Sequence, residues 1–289
     1  MNYLLHIIVF IEIYIIAGIS LNLISGYTGL ISIAHAAFYG VGAYISALLA
    51  LHFHTPFLLN LALAITGAVV IAFVVSLPSL RLSDDYFIIA TFAFQIIIYS
   101  VMNNWVSFTG GPLGLLGISQ PVIFGWRVNG HLSFLVLCGI FALLVFLFSR
   151  RIANSPYGRV LRAIREDEIL AEALGKNSTR FKISIFLLGS GFVAIAGSLY
   201  AVYITFIDPS SFTVVESIFM LSIVIVGGIG NLWGSVVGAV MLVSIPEILR
   251  FLGMPNSIAA NIRQILYGVL LVLFMMFRSR GMIGERRGE

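Results

Sequence analysis

The fold class this sequence predicts is all-α, a polytopic transmembrane helical bundle of about 8–10 spans, some broken by glycine, with one short amphipathic helix outside the membrane. Three observations predict it. Hydrophobic residues make up 60% of the chain and charged residues only 10%, and the mean hydropathy is +1.07. A soluble domain is about one quarter charged, so there is too little polar surface here to coat a soluble particle, and the chain's solvent is lipid. Apolar stretches of about 20 residues, the length a helix needs to cross a bilayer, follow one another along the whole sequence. Finally, half of all the basic side chains (Arg150, Arg151, Arg159, Arg162, Arg165, Lys176, Arg180 and Lys182) lie in one segment. Short loops rich in Lys and Arg stay on the cytoplasmic side, so 150–182 reads as one structured cytoplasmic loop.

The elements follow in order. Met1-Asn2-Tyr3 carries no positive charge, and the apolar run behind it is long for the core of a cleaved signal, so residues 4–24 are expected to be a retained first span. Further spans are expected at 28–51, 57–80, 86–104, 132–149, 183–206, 215–231, 234–252 and 258–278. Glycine is dense at Gly26–Gly42 and Gly227–Gly238, where it either ends a helix or breaks one. With the basic loop and the tail Arg278–Arg287 both inside, counting crossings backward puts Met1 outside, the Arg81 loop inside, and the loops at His52–His54 and Trp105–His131 outside. Those outer loops contain Arg127 and no lysine, in keeping with the positive-inside bias. Trp105–His131 is rich in turn residues, with Thr109-Gly110-Gly111-Pro112, Gly114, Gly117, Pro121 and Gly125. Its Phe108, Leu113, Leu115, Leu116, Phe124 and Trp126 are expected to be buried in a cover over the outer mouth. The whole of 1–289 reads as a single transmembrane domain.

Within the basic loop, Ser155-Pro156 opens a helix: serine caps free amides, and proline at the first helical position loses no hydrogen bond. Tyr157, Val160, Leu161, Ile164, Ala171 and Leu174 then share one stripe. Arg162 and Glu166 are four apart and able to pair. Gly175 suits the left-handed position past the helix end, and Asn177 or Ser178 caps the helix that re-enters the membrane. The acidic run Glu166-Asp167-Glu168 disfavours a helix lying on anionic lipid and favours one that offers an apolar face to a protein cleft.

Several chemistries are excluded or disfavoured. Cys138 is the only cysteine, which rules out an intrachain disulfide and leaves no cysteine metal cluster; no metal and no cofactor are expected. Basic residues sit at span ends, a topological pattern and not a nucleic-acid stripe. The GGIGNLWG stretch lacks the lysine of a phosphate-binding loop, so the chain is no ATPase and reads there as a tight bend between helices. His6, His35, His52, His54 and His131 are scattered, and neither HExxH nor GxSxG is present. Glu12 is the only carboxylate expected deep in a span, and a contact to a neighbouring helix or subunit is its simplest role. A glycine-interrupted span in each half points to a transport path, although small residues also serve plain helix packing.

Beyond this physical reading lies a resemblance. The run SPYGRVLRAIREDEILAEALGKNSTRFKISIFLLGSGFVAIAGSLYA resembles the cytoplasmic loop and following span of permeases from bacterial ABC importers for branched-chain amino acids, the LivH/LivM family. Its Ala171-Glu172-Ala173-Leu174-Gly175 is similar to the glutamate–alanine…glycine signature by which such permeases engage their ATPases. LNLISGYTGLISIAHAAFYGVGAY at 21–44, GGIGNLWGSVVGA at 227–239 and NIRQILYGVLLVLFMMFRSRGMIG at 261–284 match in the same order. The resemblance implies a bacterial inner-membrane permease subunit for branched-chain amino acids, not itself an enzyme. Its implied partners are two cytoplasmic ATP-binding subunits, a second homologous permease, a periplasmic or extracellular substrate-binding protein, and membrane lipid.

On this view Arg159, Arg162, Glu166, Glu168, Glu172 and Gly175 serve ATPase coupling. Asn22, Ser25, Tyr27, Thr28, Ser32 and His35 are expected to line part of the path, offering donors and acceptors to a zwitterionic head; close packing, with His35 bonded to a backbone carbonyl, is the competing reading. Gly26, Gly29, Gly227, Gly228, Gly230, Gly234 and Gly238 are expected to pack or break helices. Permeases of this resemblance also serve urea and short amides. An ion-coupled secondary transporter stays open as an alternative, with only one embedded carboxylate in its favour.

Overall fold

The computed structural model describes residues 2–80, 84–123, 126–251, 268–269 and 272. Eleven α-helices occur among them. They are α1 (Asn2–Leu21), prolonged by a π-helical turn Asn22–Gly26, α2 (His35–Phe53), α3 (Phe57–Ser79), α4 (Asp84–Asn104), α5 (Val106–Thr109), α6 (His131–Asn154), α7 (Pro156–Glu166), α8 (Glu168–Ala173), α9 (Ser178–Ile204), α10 (Val214–Gly227) and α11 (Leu232–Phe251). Two-residue antiparallel ladders, β1 (Leu115–Leu116) with β4 (Phe206–Ile207) and β2 (Val122–Ile123) with β3 (Trp126–Arg127), tie down the loops. The fold is the all-α membrane bundle that composition requires, and the chain is a multi-pass membrane protein: six described helices, α1 to α4, α6 and α9, are long and apolar enough to cross a bilayer.

The centre of the bundle is α1, α2 and α9. Of the six long apolar helices, α9 is the most buried and α4 the least. Small residues allow this. Gly42 of α2 faces the Ala194 backbone of α9, where a methyl carbon would come within 2.6 Å of Cα. Gly197 of α9 faces the Tyr39 carbonyl, and Ser198 donates to the carbonyls of Ala194 (2.9 Å) and Gly42 (3.2 Å). Helices in lipid gain little from apolar burial against each other, so close backbone approach and interhelical hydrogen bonds supply the attraction.

Two helices begin inside the bundle. The expected span 28–51 starts only at His35, because the chain leaves the helix at Gly29 (φ +79°) and runs non-helically to Ala34. His35 there shares a hydrogen bond with Ser20 Oγ (2.7 Å), well before the end of the first span. The amides at such a start have no intrahelical acceptor, and lipid supplies none. Ser217 at the start of α10 accepts from Ala36 N (2.9 Å), Gln95 Oε1 of α4 accepts from Ala37 N (2.6 Å), and Gln95 Nε2 donates to the Phe212 carbonyl (2.7 Å). One buried glutamine thus joins the beginnings of α2 and α10.

Three further expectations are corrected. Residues 215–231 and 234–252 are not two independent spans but one bent pair, α10 and α11, at 119° to each other. The single loop helix is two, because Asp167 is extended (φ −154°, ψ 103°) and caps α8 by accepting from Leu170 N (2.9 Å). Phe108, Leu113 and Leu116 are exposed, not buried, because the short β1–β4 ladder and the glycine turns hold the loop through its backbone and leave these side chains outside. The expected span 258–278 lies outside the described residues, as do Phe124 and the side chain of Trp126.

Glu216 was not expected to be buried, yet it is half-buried and accepts from Tyr14 Oη (2.7 Å). Glu12 faces Gly139 of the neighbouring α6, with a buried Oε2 that finds no partner among the described residues.

Candidate functional site

The basic segment folds by the caps its sequence announces. Ser155 accepts from Gly158 N (3.3 Å), with Pro156 at the first helical position. Leu161, Ile164 and Ala171 are buried against the bundle, and Tyr157 and Val160 are half-buried. Tyr157 Oη shares a hydrogen bond with Ser184 of α9 (2.5 Å); burial pushes its phenol up, and the Ser184 contact opposes that. Gly175 (φ +79°) closes α8 as a Schellman motif: its amide donates to Glu172 O (2.8 Å), and Lys176 N donates to Ala171 O (3.1 Å). Asn177 then accepts from Arg180 N (3.0 Å), capping α9.

Side chains fasten α8 to α9 as well. Ser178 Oγ donates to Glu172, and Lys182 Nζ donates to Glu168 Oε2 (2.7 Å). Burial raises the Glu168 carboxyl, but the hydrogen bonds from Lys182 and Ser178 and the Lys182 charge outweigh it, so the group lies below the usual carboxylate range. A hinge at Asp167 and pins at both ends leave little freedom. What α8 leaves uncovered is apolar: Ile169 is 82% exposed, Leu174 72% and Leu170 59%. Leu174 therefore departs from the buried stripe, because the kink at Asp167 turns α8 relative to α7.

Directly above this segment lie both glycine breaks. Asn22, in the π-helical turn, is fully buried. Its Oδ1 accepts from Gly230 N (2.8 Å), and its Nδ2 reaches Asn231 O (2.8 Å), Ser235 Oγ (2.7 Å) and Gly228 O (3.4 Å). One side chain thus ties the end of the first span to the α10–α11 bend. Gly26 is required there, since a methyl carbon on it would lie 2.6 Å from Gly230 N and overlap the Asn22 amide. The bend closes on itself: Gly234 faces the Gly227 carbonyl, Gly238 faces the Gly227 backbone, and Gly228 and Gly230 take positive φ.

The other residues expected along 22–35 make local contacts in this conformation. Ser25 donates to Leu21 O (2.9 Å) and Thr28 to Ile24 O (2.5 Å), and Ser32 accepts from Ala34 N (3.3 Å). Their side chains are buried; Gly29 and Ile31 are the exposed positions of the stretch. His35 pairs with Ser20 and also meets the Ala17 backbone carbonyl, the contact the packing reading expected, while its Nδ1 has no partner among the described residues.

Arg162, expected to pair with Glu166, lies over the Tyr27 ring at 5.9 Å and donates to Ala153 O (3.3 Å); Glu166 and Arg159 are exposed. Three residues on, Arg165 Nη1 donates to Gly26 O (2.5 Å) and also borders Gly230. Arg165 was not among the expected site residues. Its spacing of three from Arg162 is the available signal, but only the fold shows what that face meets. Gln95, Asn231 and Ser235 were missed for the same reason, being joined to their partners across the chain.

No group of His, Cys, Asp or Glu among the described residues could hold a metal ion. What the arrangement offers is mechanical: a pinned helix pair with an exposed apolar face, attached to two helix breaks. A family model described as "Branched-chain amino acid transport system / permease component" matches residues 3–275. The chain is 33% identical to the high-affinity branched-chain amino acid transport system permease protein LivM of Salmonella typhimurium and 32% identical to that of Escherichia coli, each over 96% of this chain and 69% of the relative. It is 26% identical to the LivH permease of Escherichia coli, over 96% of this chain and 92% of the relative. No solved structure matches.

Proposed function

The chain belongs to the branched-chain amino acid transport system permease components, and from that membership we propose that it carries branched-chain amino acids into the cell as one membrane subunit of an ATP-driven importer. It resides in the bacterial inner membrane with the basic segment in the cytoplasm. Two ATP-binding subunits lie below it, a sister permease lies beside it, and a binding protein delivers the amino acid from outside. The LivM and LivH relatives in one organism support the sister pairing.

The observation that carries this reading is the α7–α8 unit. An isolated helix this short is marginal in water, yet two caps, a Schellman closure and the Lys182–Glu168 ion pair hold α8 in a fixed place. It presents Ile169, Leu170 and Leu174 outward, and apolar side chains held rigidly in water on a preformed helix face suit a protein cleft. Force applied there reaches the bundle through α7, whose buried Leu161 and Ile164 seat it under the breaks. The hydroxyls and broken backbone of 22–35 supply the polar groups that a zwitterion needs at membrane depth when they open.

The test is purification of the complex with its receptor and reconstitution into vesicles. Uptake of leucine, isoleucine or valine is expected to require ATP inside and the receptor outside, and to survive a proton uncoupler. Uptake by this chain alone, abolished by the uncoupler and indifferent to ATP, would establish ion coupling instead. A receptor that holds only urea or an amide would correct the substrate and leave the mechanism standing.

A further inference from the structure

Where the first span breaks, its last carbonyls lose the amides that a continuing helix would supply. Gly29 N returns to Ser25 O (3.1 Å). Gly26 O is taken by a residue far along the chain, Arg165 of α7, at 2.5 Å. A cation at a helix C-terminus meets the negative end of the helix dipole, and Arg162, one turn earlier on α7, adds its contact over Tyr27. The same Arg165 Nη1 borders the second break: a methyl carbon at Gly230 would lie 3.0 Å from it, and one at Gly29 would lie 3.4 Å from its Cγ. Asn22 locks Gly230 to the first span. The two breaks and α7 therefore meet at one guanidinium. Arg165 is an exposed residue, so its charge keeps contact with water while it holds the Gly26 carbonyl.

We propose that Arg165 is the positioning residue that makes α7 and the two helix breaks move as one body, so that displacement of the cytoplasmic segment is delivered to Gly26–Ala34 and to the α10–α11 bend together. This rests on the transport reading above and adds to it the residue through which the motion passes. Arg165 touches no substrate; it acts through the Gly26 carbonyl. Lysine can also cap the Gly26 carbonyl with positive charge, but it lacks the flat guanidinium that lies against Gly230, so it is expected to restore most but not all of the coupling. Glutamine keeps a donor and loses the charge.

The experiment uses the complete importer in vesicles. Uptake per ATP hydrolysed is expected to fall about tenfold in Arg165→Gln, the scale of one lost charge-assisted hydrogen bond, and to recover most of the way in Arg165→Lys. A second measurement asks what a merely structural arginine would not answer. Spin labels on Glu166→Cys and Ile31→Cys, in a chain carrying Cys138→Ser, report the separation of α7 from the first break. With Arg165 present, that separation is expected to be the same in the nucleotide-free and ATP-bound complex; in Arg165→Gln it is expected to differ between them. Wild-type coupling in Arg165→Gln, or a separation that changes between the two states with Arg165 in place, would overturn the proposal. If Arg165→Gln does not assemble, the labelled chain with Arg165 decides alone. Failure of the parent complex to take up amino acid with ATP would reject the transport reading, a separate result from either of these.

Discussion

Gly197→Leu is expected to abolish the folded bundle. Gly197 sits where α9 crosses α2, and any carbon added there would overlap the Tyr39 carbonyl and press on Ala43 N at 3.0 Å. Backbone cannot rotate aside as a side chain can, so the helices must separate. Separation breaks the Ser198 bonds to Gly42 and Ala194 and opens the contact between the two most buried helices. Overpacking a well-fitted core costs about 1–3 kcal/mol, and the backbone clash with loss of the interhelical bonds puts this substitution at or beyond the top of that range. The measurement is the yield of monodisperse protein extracted from membranes. Gly191→Ala is the control on the same helix: its added carbon meets only the side chains of Val69 (3.3 Å) and Ile65 (3.4 Å), and near-normal yield is expected. Equal yields for the two variants would contradict this packing account.

Asn22→Leu is expected to be nearly as severe, for a polar reason. The side chain is similar in size, so no cavity is created, but Gly230 N, Asn231 O and Ser235 Oγ lose their partner in a fully buried place. Leaving buried groups unpaired costs about 1–3 kcal/mol each; interhelical bonds in membrane proteins average nearer ~0.6. The sum is about 2–4 kcal/mol, seen as a fall of roughly 5–10 °C in the midpoint of thermal unfolding in detergent. Asn22→Asp keeps the acceptor for Gly230 but turns a carboxylate toward the Asn231 and Gly228 carbonyls, so it is expected to rescue little. Unchanged stability in Asn22→Leu would mean that the bend does not depend on this clamp.

What the sequence disclosed and what it hid divide along a physical line. Local chemistry was legible. Ser155-Pro156 and Asn177 act as caps and Gly175 takes the left-handed turn, because each is decided by neighbours a few residues away. Hydropathy placed α3, α4, α6 and α9 within a few residues of their observed ends for the same reason. The bend at GGIGN was also legible as a bend.

The missed features depend on distant partners. A run of apolar residues does not say that 28–34 turns back toward Ser20, since contacts across the chain, among them His35–Ser20, Ile33–Thr91 and the Gln95 junction, hold that path. The kink at Asp167 was hidden by a continuous hydrophobic stripe, which a capping aspartate can divide without altering its composition. Asn22 was read as a polar group awaiting cargo. Its bonds lie more than two hundred residues along the chain, and no local pattern encodes them. Arg165 was lost within a basic cluster whose charge is explained well enough by topology.

The central claim is that the apolar face of α8 takes up work from an ATP-hydrolysing neighbour. The most direct measurement places a photo-crosslinking amino acid at Ile169 or Leu174 in intact membranes of cells expressing the whole importer, with Leu116 as the site for comparison. Ile169 and Leu174 are predicted to yield an adduct with the ATP-binding subunit and Leu116 none. Adducts from Ile169 and Leu174 with the external receptor, or their persistent failure to join any nucleotide-binding subunit while the importer is active, would contradict it.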